Sequence, residues 1–316
     1  MLVPVEESCG AVRAASPQMT SAAHQPVLID EVLTYLQPHP GAVILDGTVG
    51  GGGHSLTILP HLMPNGRLIA MDRDADAVAR TRQRRREFDV MVTYLHDDFR
   101  TLRSHLDRLG LAGVDGLVLD LGMSSPQVDQ ADRGFSFLHE GPLDMRMDRA
   151  QALTAQTLVN DRSAEELTQL FTALGEERFA HRIAQRIVEE RRPQPITTTT
   201  QLARIVTRAI PPGARHSRVH AATRVFQALR MAVNDEAGAL ESLLADLPSV
   251  LNPAGRAVII SFHSLEDRRV KHAFAQGARD GAWTLLTKKP VPPADEEAAV
   301  NPRARSAKLR AVERLA

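Results

Sequence analysis

Cysteine is almost absent from this chain: Cys9 is the single one in 316 residues. One thiol excludes a disulfide framework and fits a reducing compartment, the cytoplasm. It also argues against carbon methylation of pyrimidines, which commonly needs a cysteine nucleophile, because Cys9 lies alone in a polar leader. Net charge is absent as well. Lysine plus arginine and aspartate plus glutamate both number 38, so any grip on nucleic acid must be local, not a general basic field. Between Met1 and Ala23 no long apolar run follows a basic start, so neither a signal peptide nor a membrane span is expected there, and residues 1–23 are expected to form a disordered leader. Internal repeats and low-complexity tracts are missing too. The length suffices for one large or two ordinary domains without metal or disulfide support.

Glycine, by contrast, is concentrated. Leu45-Asp46-Gly47-Thr48-Val49-Gly50-Gly51-Gly52-Gly53-His54-Ser55 joins a strand end bearing a carboxylate to a four-glycine turn and a helix start. Further on, Leu68-Ile69-Ala70-Met71-Asp72 ends a second strand in another carboxylate. Together they describe a nucleotide-type pocket at the carboxyl ends of a parallel sheet, where glycines admit the ligand to the backbone and the second carboxylate takes ribose hydroxyls. Missing residues weaken two ligands. No register completes G-x-G-x-x-G, since Gly50 and Gly52 lead to Ser55 while Gly51 and Gly53 lead to Leu56. A phosphate loop fails because Gly53-His54 stand where Lys and Ser or Thr belong. Asp46 would repel a pyrophosphate and attract an ammonium or sulfonium, which points to S-adenosylmethionine with its amino-acid end near Asp46 and its ribose near Asp72. A plain tight connection would show the same glycines.

From Ala42 to Asp120, short apolar strands alternate with helical stretches such as Ala75 to Phe88, the pattern of a doubly wound parallel sheet. Between about Gln127 and Phe226 the signals turn helical. Ser163 and Glu166 form a capping box ahead of Leu167, Leu170, Phe171 and Leu174, and Phe179, Ile183 and Ile187 share a face of the next helix. Strand character returns at Ala257-Val258-Ile259-Ile260-Ser261-Phe262, with shorter candidates at Trp283-Thr284-Leu285-Leu286 and Lys308-Leu309-Arg310-Ala311-Val312. The expected fold is α/β: a Rossmann-like doubly wound sheet from residues 24–126 and 227–316, with an all-helical domain, residues 127–226, inserted.

Three further strand ends offer chemistry: Asp97-Asp98-Phe99, Asp120 through Gln127, and Ser261-Phe262-His263-Ser264. Phe99 suits either adenine stacking or core packing, and Asp120 either a ligand contact or a helix cap. His216 and His220 have the spacing of paired metal ligands on a helix, but no third ligand is near, so no metal is expected and a surface or RNA-facing role is preferred. The row Arg178, Arg182 and Arg186 is interleaved with glutamates and suits phosphates or an ion-paired surface equally. From Asn301 to Arg310 the basic residues have no acidic neighbour before Glu313, and with Lys288-Lys289 they are the best candidates for phosphate contacts; charge on an edge strand is the alternative.

The segments His24-Gln25-Pro26-Val27-Leu28, Asp46 to Ser55, Asp120 to Gln127, Arg133-Gly134-Phe135-Ser136-Phe137, Gly141 to Asp148, Thr223 to Arg230, Ser261 to Arg268 and Asn301 to Ser306 resemble the RsmH (MraW) family. Those are bacterial methyltransferases of small-subunit ribosomal RNA, and the likeness runs from about His24 to the C terminus. It implies S-adenosylmethionine as donor and, as acceptor, N4 of the cytosine at position 1402 of 16S rRNA in the standard rRNA numbering, within the small subunit. It also implies substrate recognition by the helical insert, and cofactor contacts at Gly52, Gly53, His54, Asp72, Phe99, Asp120 and Gln127. One departure is Ala221 after His220, where many relatives have proline. The Asn-Pro-Pro-Tyr signature common among amino-methylating enzymes is missing from Asp120-Leu121-Gly122-Met123, so N4 chemistry rests on the resemblance alone. No catalytic residue is assigned: Asp120, Ser124, Ser125, His263 or a backbone carbonyl near Leu121 can each receive the amine hydrogens. The rival readings are an NAD-linked oxidoreductase and a non-catalytic RNA-binding or ribosome-assembly factor.

Overall fold

The computed structural model describes residues 26–84, 92–215 and 220–316. The expected leader, Cys9, His216 and the start of the third strand at Val90-Met91 lie outside them. The strands are β1 (Val43–Asp46), β2 (Arg67–Asp72), β3 (Val92–His96), β4 (Val114–Asp120), β5 (Leu251–Ser261), β6 (Trp283–Leu285) and β7 (Lys308–Arg314). They form one sheet in the order β3-β2-β1-β4-β5-β7-β6. In chain order the helices are α1 (Ile29–Leu36), α2 (Gly53–Ile58), α3 (Ala75–Arg84), α4 (Leu102–Arg108), α5 (Ser125–Asp129), α6 (Ala155–Asp161), α7 (Ala164–Gly175), α8 (Ala180–Glu190), α9 (Thr199–Ala209), α10 (Pro212–Arg215), α11 (Thr223–Asn234), α12 (Glu236–Val250), α13 (Ser264–Arg279) and α14 (Asp295–Val300).

Strands buried on both faces explain the continuous apolar runs. Ile44, Leu68, Ala70, Val118, Val258 and Ile260 pack with Val32 and Leu36 of α1 on one face. Their immediate neighbours Leu45, Ile69, Met71, Leu117, Leu119 and Ile259 point the other way, toward Leu102 of α4, Leu240 and Leu244 of α12 and Val270 of α13. The doubly wound expectation holds, and strands β1 to β5 are parallel. The parallel expectation fails at one edge. A crossover through α13 reaches β6, and β7 then runs back between β5 and β6, antiparallel to both. Apolar alternation records which face a side chain takes; it carries no direction.

Between α5 and α12 the chain leaves the sheet and encloses a second core, with Leu158, Leu167, Phe171, Ile183, Ile187, Leu202, Val206, Val225 and Leu229 among its buried residues. Its helices start where the sequence places caps. Ser163 Oγ accepts from the Glu166 N–H at 3.1 Å, while a Glu166 carboxylate oxygen accepts from the Ser163 N–H at 2.8 Å. This core runs from Phe135 to Val233, whereas Gln127 belongs to α5 and α11 continues to Asn234. No helix among the described residues is long and apolar enough to cross a membrane.

Candidate active site

The carboxyl ends of β1, β2, β4 and β5 open on a cavity of about 610 Å³, walled on its other side by Met147 and Met231 of the insert and Glu236, Ala237 and Leu240 of α12. The glycine turn forms its floor. Gly52 takes a left-handed φ of 78° as the N-cap of α2, a conformation that glycine adopts without strain. Gly53 is required for a different reason: a Cβ there would stand 2.7 Å from the Pro26 ring, which packs over the turn. Gly51 lines the cavity, and a Cβ on it would meet no atom within 4 Å.

Two of the carboxylates that line this space stand at strand ends, Asp72 and Asp120. Asp72, at the end of β2, accepts the N–H groups of Gly50 and Asp74, each at 2.8 Å. Burial pushes its carboxyl up to about 6 against the pull of those two bonds. Asp120, at the end of β4, donates its backbone N–H to Thr48 Oγ1 at 2.7 Å. Its Oδ2 lies 3.8 Å from His54 Nδ1, and its Oδ1 is buried without a hydrogen-bond partner. Burial pushes this carboxyl up to about 6 as well, with His54 opposing and the charges of Asp46 and Glu266 adding to the rise. Asp46 does not line the cavity. Its oxygens accept the Thr48 N–H at 3.2 Å and the Ser55 hydroxyl at 2.6 Å, so it braces the turn from inside, and burial holds its carboxyl above the usual range. Asp46, expected beside a cation, is thus set behind the turn, and the strand-end carboxylate that lines the cavity next to His54 is Asp120.

Of the residues expected to hold the cofactor, Gly53, His54, Asp72, Phe99, Asp120 and Gln127 line the cavity, while Gly52 does not and serves as the helix cap. Phe99 packs against the sheet core, as one reading of it expects, and also lines the cavity. Gln127 is fixed at both ends of its amide: Oε1 accepts the Ser124 N–H at 3.0 Å, and Nε2 donates to Asp74 at 2.9 Å. The same Asp74 oxygen accepts from the buried guanidinium of Arg133 at 2.8 Å. Arg133 also donates to the carbonyls of Arg146 and Met147, each at 3.0 Å, and so ties the insert to the end of β2.

Sequence reasoning missed Arg230, Glu236 and Glu266. Arg230 of α11 grips Glu236 through two bonds of 2.8 Å. Glu266 of α13 accepts the Phe262 N–H at 2.9 Å and the His263 N–H at 3.3 Å. Arg230 and Glu266 lie inside segments that resemble the RsmH (MraW) family, which is the signal the sequence offers for them; no periodicity marks Glu236. Several expected contacts are absorbed elsewhere. In the basic tail, Arg310 pairs with Asp267 at 2.7 Å, Lys308 with Asp267 at 3.5 Å and Arg303 with Asp129 at 3.0 Å, while Arg303 also donates to Ser125 Oγ. Each of those three thus has a carboxylate partner within the protein. Arg186 pairs with Glu190 at 2.6 Å, as on an ion-paired surface. His220 packs its ring on Phe137, with centroids 4.7 Å apart.

An unpartnered buried carboxylate oxygen, a glycine turn open to the cavity and a second carboxylate at the end of β2 fit a nucleoside carrying positive charge. The fold and site are those of an S-adenosylmethionine-dependent methyltransferase. The MraW methylase family matches residues 21–315, and the chain belongs to that family. The ribosomal RNA small subunit methyltransferase H of Geobacter sp. (strain M21) is 46% identical over 307 residues, covering 92% of this chain and 98% of that protein. The protein of the same name from Synechococcus sp. (strain JA-2-3B'a(2-13)) is 51% identical over 301 residues, covering 92% of each. That from Geobacter sulfurreducens is 48% identical over 308 residues, covering 93% of this chain and 99% of its own.

Proposed function

We propose that this protein methylates N4 of one cytosine, position 1402 in the standard rRNA numbering, in 16S rRNA within the small ribosomal subunit, and that it works in the cytoplasm. The observation that carries this reading is the shared cavity, with strand-end carboxylates and glycine turn on one side and insert residues Met147 and Met231 on the other. In this reading Gly53 and His54 hold the amino-acid end of S-adenosylmethionine with Gly52 capping the helix behind them, Asp72 takes the ribose hydroxyls, Phe99 and Gln127 contact the adenine, and Asp120 faces the positive charge. Bound there, S-adenosylmethionine supplies an electrophilic methyl group whose carbon–sulfur pair stays with sulfur as the acceptor nitrogen forms the new bond.

The protein's own task is alignment and desolvation. The insert recognises the RNA and closes over an unpaired or flipped base, because a stacked cytosine cannot reach the strand ends. Labelled S-adenosylmethionine and unmodified small subunits test the reading: label in 16S rRNA supports it. Binding of the subunit with no transfer would replace it with a non-catalytic assembly role.

A further inference from the structure

Most carboxylates around the cavity are already committed. Asp72 accepts two backbone N–H groups. Asp98 pairs with Arg73 at 3.4 Å and Arg100 at 3.2 Å. Arg230 takes both oxygens of Glu236, and Asp120, whose Oδ1 is open, stands beside the glycine turn facing His54.

Glu266 differs. Its side chain is only 6% exposed, yet it lines the cavity on the β5 side, beyond β4 from the glycine turn. Its own turn aims it. Oε2 accepts the N–H groups of Phe262 and His263. His263 Nδ1 accepts the Glu266 N–H at 3.4 Å, and its Nε2 lies 3.1 Å from Oε1 without completing a hydrogen bond to it. Arg230 stands 3.9 Å from Oε1, beyond hydrogen-bond reach. Although burial alone would raise it, the contact with His263, the nearby Arg230 charge and the Phe262 N–H hold this carboxyl below its usual range. The outcome is a buried, oriented anion with acceptor capacity left on Oε1.

We propose that the β5 side of the cavity is the acceptor-base subsite and that Glu266 receives a hydrogen of the target base's exocyclic amine. The inference rests on the proposed function and names the group that reads its substrate. A 4-amino pyrimidine presents N–H donors to this carboxylate, whereas a 4-carbonyl presents lone pairs that the anion repels, so the subsite selects cytosine over uracil. Glu266 also takes the proton. As the amine lone pair forms the N–C bond, the nitrogen becomes cationic and strongly acidic; the N–H electron pair returns to nitrogen, and the proton passes to Oε1 and then to water. His263 and Arg230 act through Glu266 as positioning residues.

The test uses the full chain with S-adenosylhomocysteine and three 16S rRNA fragments that carry cytosine, uracil or 2-pyrimidinone, which lacks the 4-amino group, at the target position. The wild-type protein should bind the cytosine fragment at least about tenfold more tightly than the other two. In Glu266→Gln the preference should shrink to within roughly twofold, and single-turnover transfer should fall about a hundredfold or more, with S-adenosylmethionine affinity within about threefold of wild type. Glu266→Asp should keep the preference at a reduced rate. Equal wild-type affinity for cytosine and 2-pyrimidinone overturns the proposal without any variant. So does a Glu266→Gln protein that keeps the preference, or one that loses donor and all three RNAs alike. If the wild type transfers no methyl group to the cytosine fragment or to small subunits, the proposed function itself has failed; if it does and Glu266→Gln matches it, only this inference has.

Discussion

His54 and Asp120 face each other across 3.8 Å, and the orientation of the histidine is fixed from behind. Its Nε2–H donates to the Val27 carbonyl at 2.9 Å, and a carbonyl only accepts, so Nδ1 is the nitrogen presented to the carboxylate. The residues just before α1 thereby set the electrostatics at the end of β4. His54 works against burial to keep Asp120 ionised.

This pairing makes donor binding pH-dependent. Asp72 and Asp120 both titrate at about 6, raised from 3.8 by burial. The folded apo protein therefore retains protons that the unfolded chain has lost, and these groups favour folding below about pH 4 and lose that contribution as pH rises through 6. A cationic donor favours the ionised forms, so its affinity falls in the opposite direction, as pH drops. Between pH 7.5 and 5.5 the Kd for S-adenosylmethionine should rise roughly fourfold if one carboxylate must be ionised and about fifteenfold if both must. Calorimetric titration measures this, and a flat profile would contradict it. His54→Leu should move the midpoint upward.

The glycine turn predicts a contrast between neighbours. Gly51→Ala adds a methyl group that meets no protein atom and projects into the donor's space, so stability should stay unchanged while S-adenosylmethionine affinity falls about tenfold or more. Gly53→Ala forces a methyl against Pro26 and should cost about 1–3 kcal/mol of stability. Thermal melts with and without donor separate the two, and equal behaviour would refute the assignment.

Arg133 is 1% exposed, with Asp74 as its carboxylate partner at 2.8 Å. Arg133→Met leaves that carboxylate buried without its counter-charge and should cost about 3–5 kcal/mol in urea unfolding. Adding Asp74→Asn should recover part of the loss, because the uncompensated charge is then gone. Additive losses in the double variant would deny the coupling.

Much of the fold is legible in the residues themselves. Apolar runs mark β1 to β7, including the short β6, and caps such as Ser163 mark helix starts, because both depend on near neighbours. Asp72 is placed correctly by its distance along the chain from the glycine turn. What fails is whatever depends on partners far apart in sequence. Asp267 of α13 pairs with Arg310 and Lys308 of β7, so two basic residues that look free in the sequence have a carboxylate partner. Asp46 and Asp120 are both strand-end aspartates, and only the fold shows that Ser55 and Thr48 turn the first inward. Glu266 and Arg230 sit in family-like segments without visible chemistry until α11, α12 and α13 meet beside the cavity.

Trp283, the lone tryptophan, is buried and donates its indole N–H to the Phe274 carbonyl at 2.8 Å. A Cβ on Gly277 would overlap its ring, so Gly277→Ala should destabilise the protein by about 1–3 kcal/mol and shift tryptophan emission to the red. Unchanged emission and stability would show that α13 does not pack on β6 in this way.

The most direct test of the central claim is nucleoside mass spectrometry of 16S rRNA after labelled methyl transfer to unmodified small subunits, with an N4-methylcytidine standard. The account predicts label in that nucleoside, at position 1402. Label in a different nucleoside, or none from protein that binds S-adenosylmethionine normally, would contradict it.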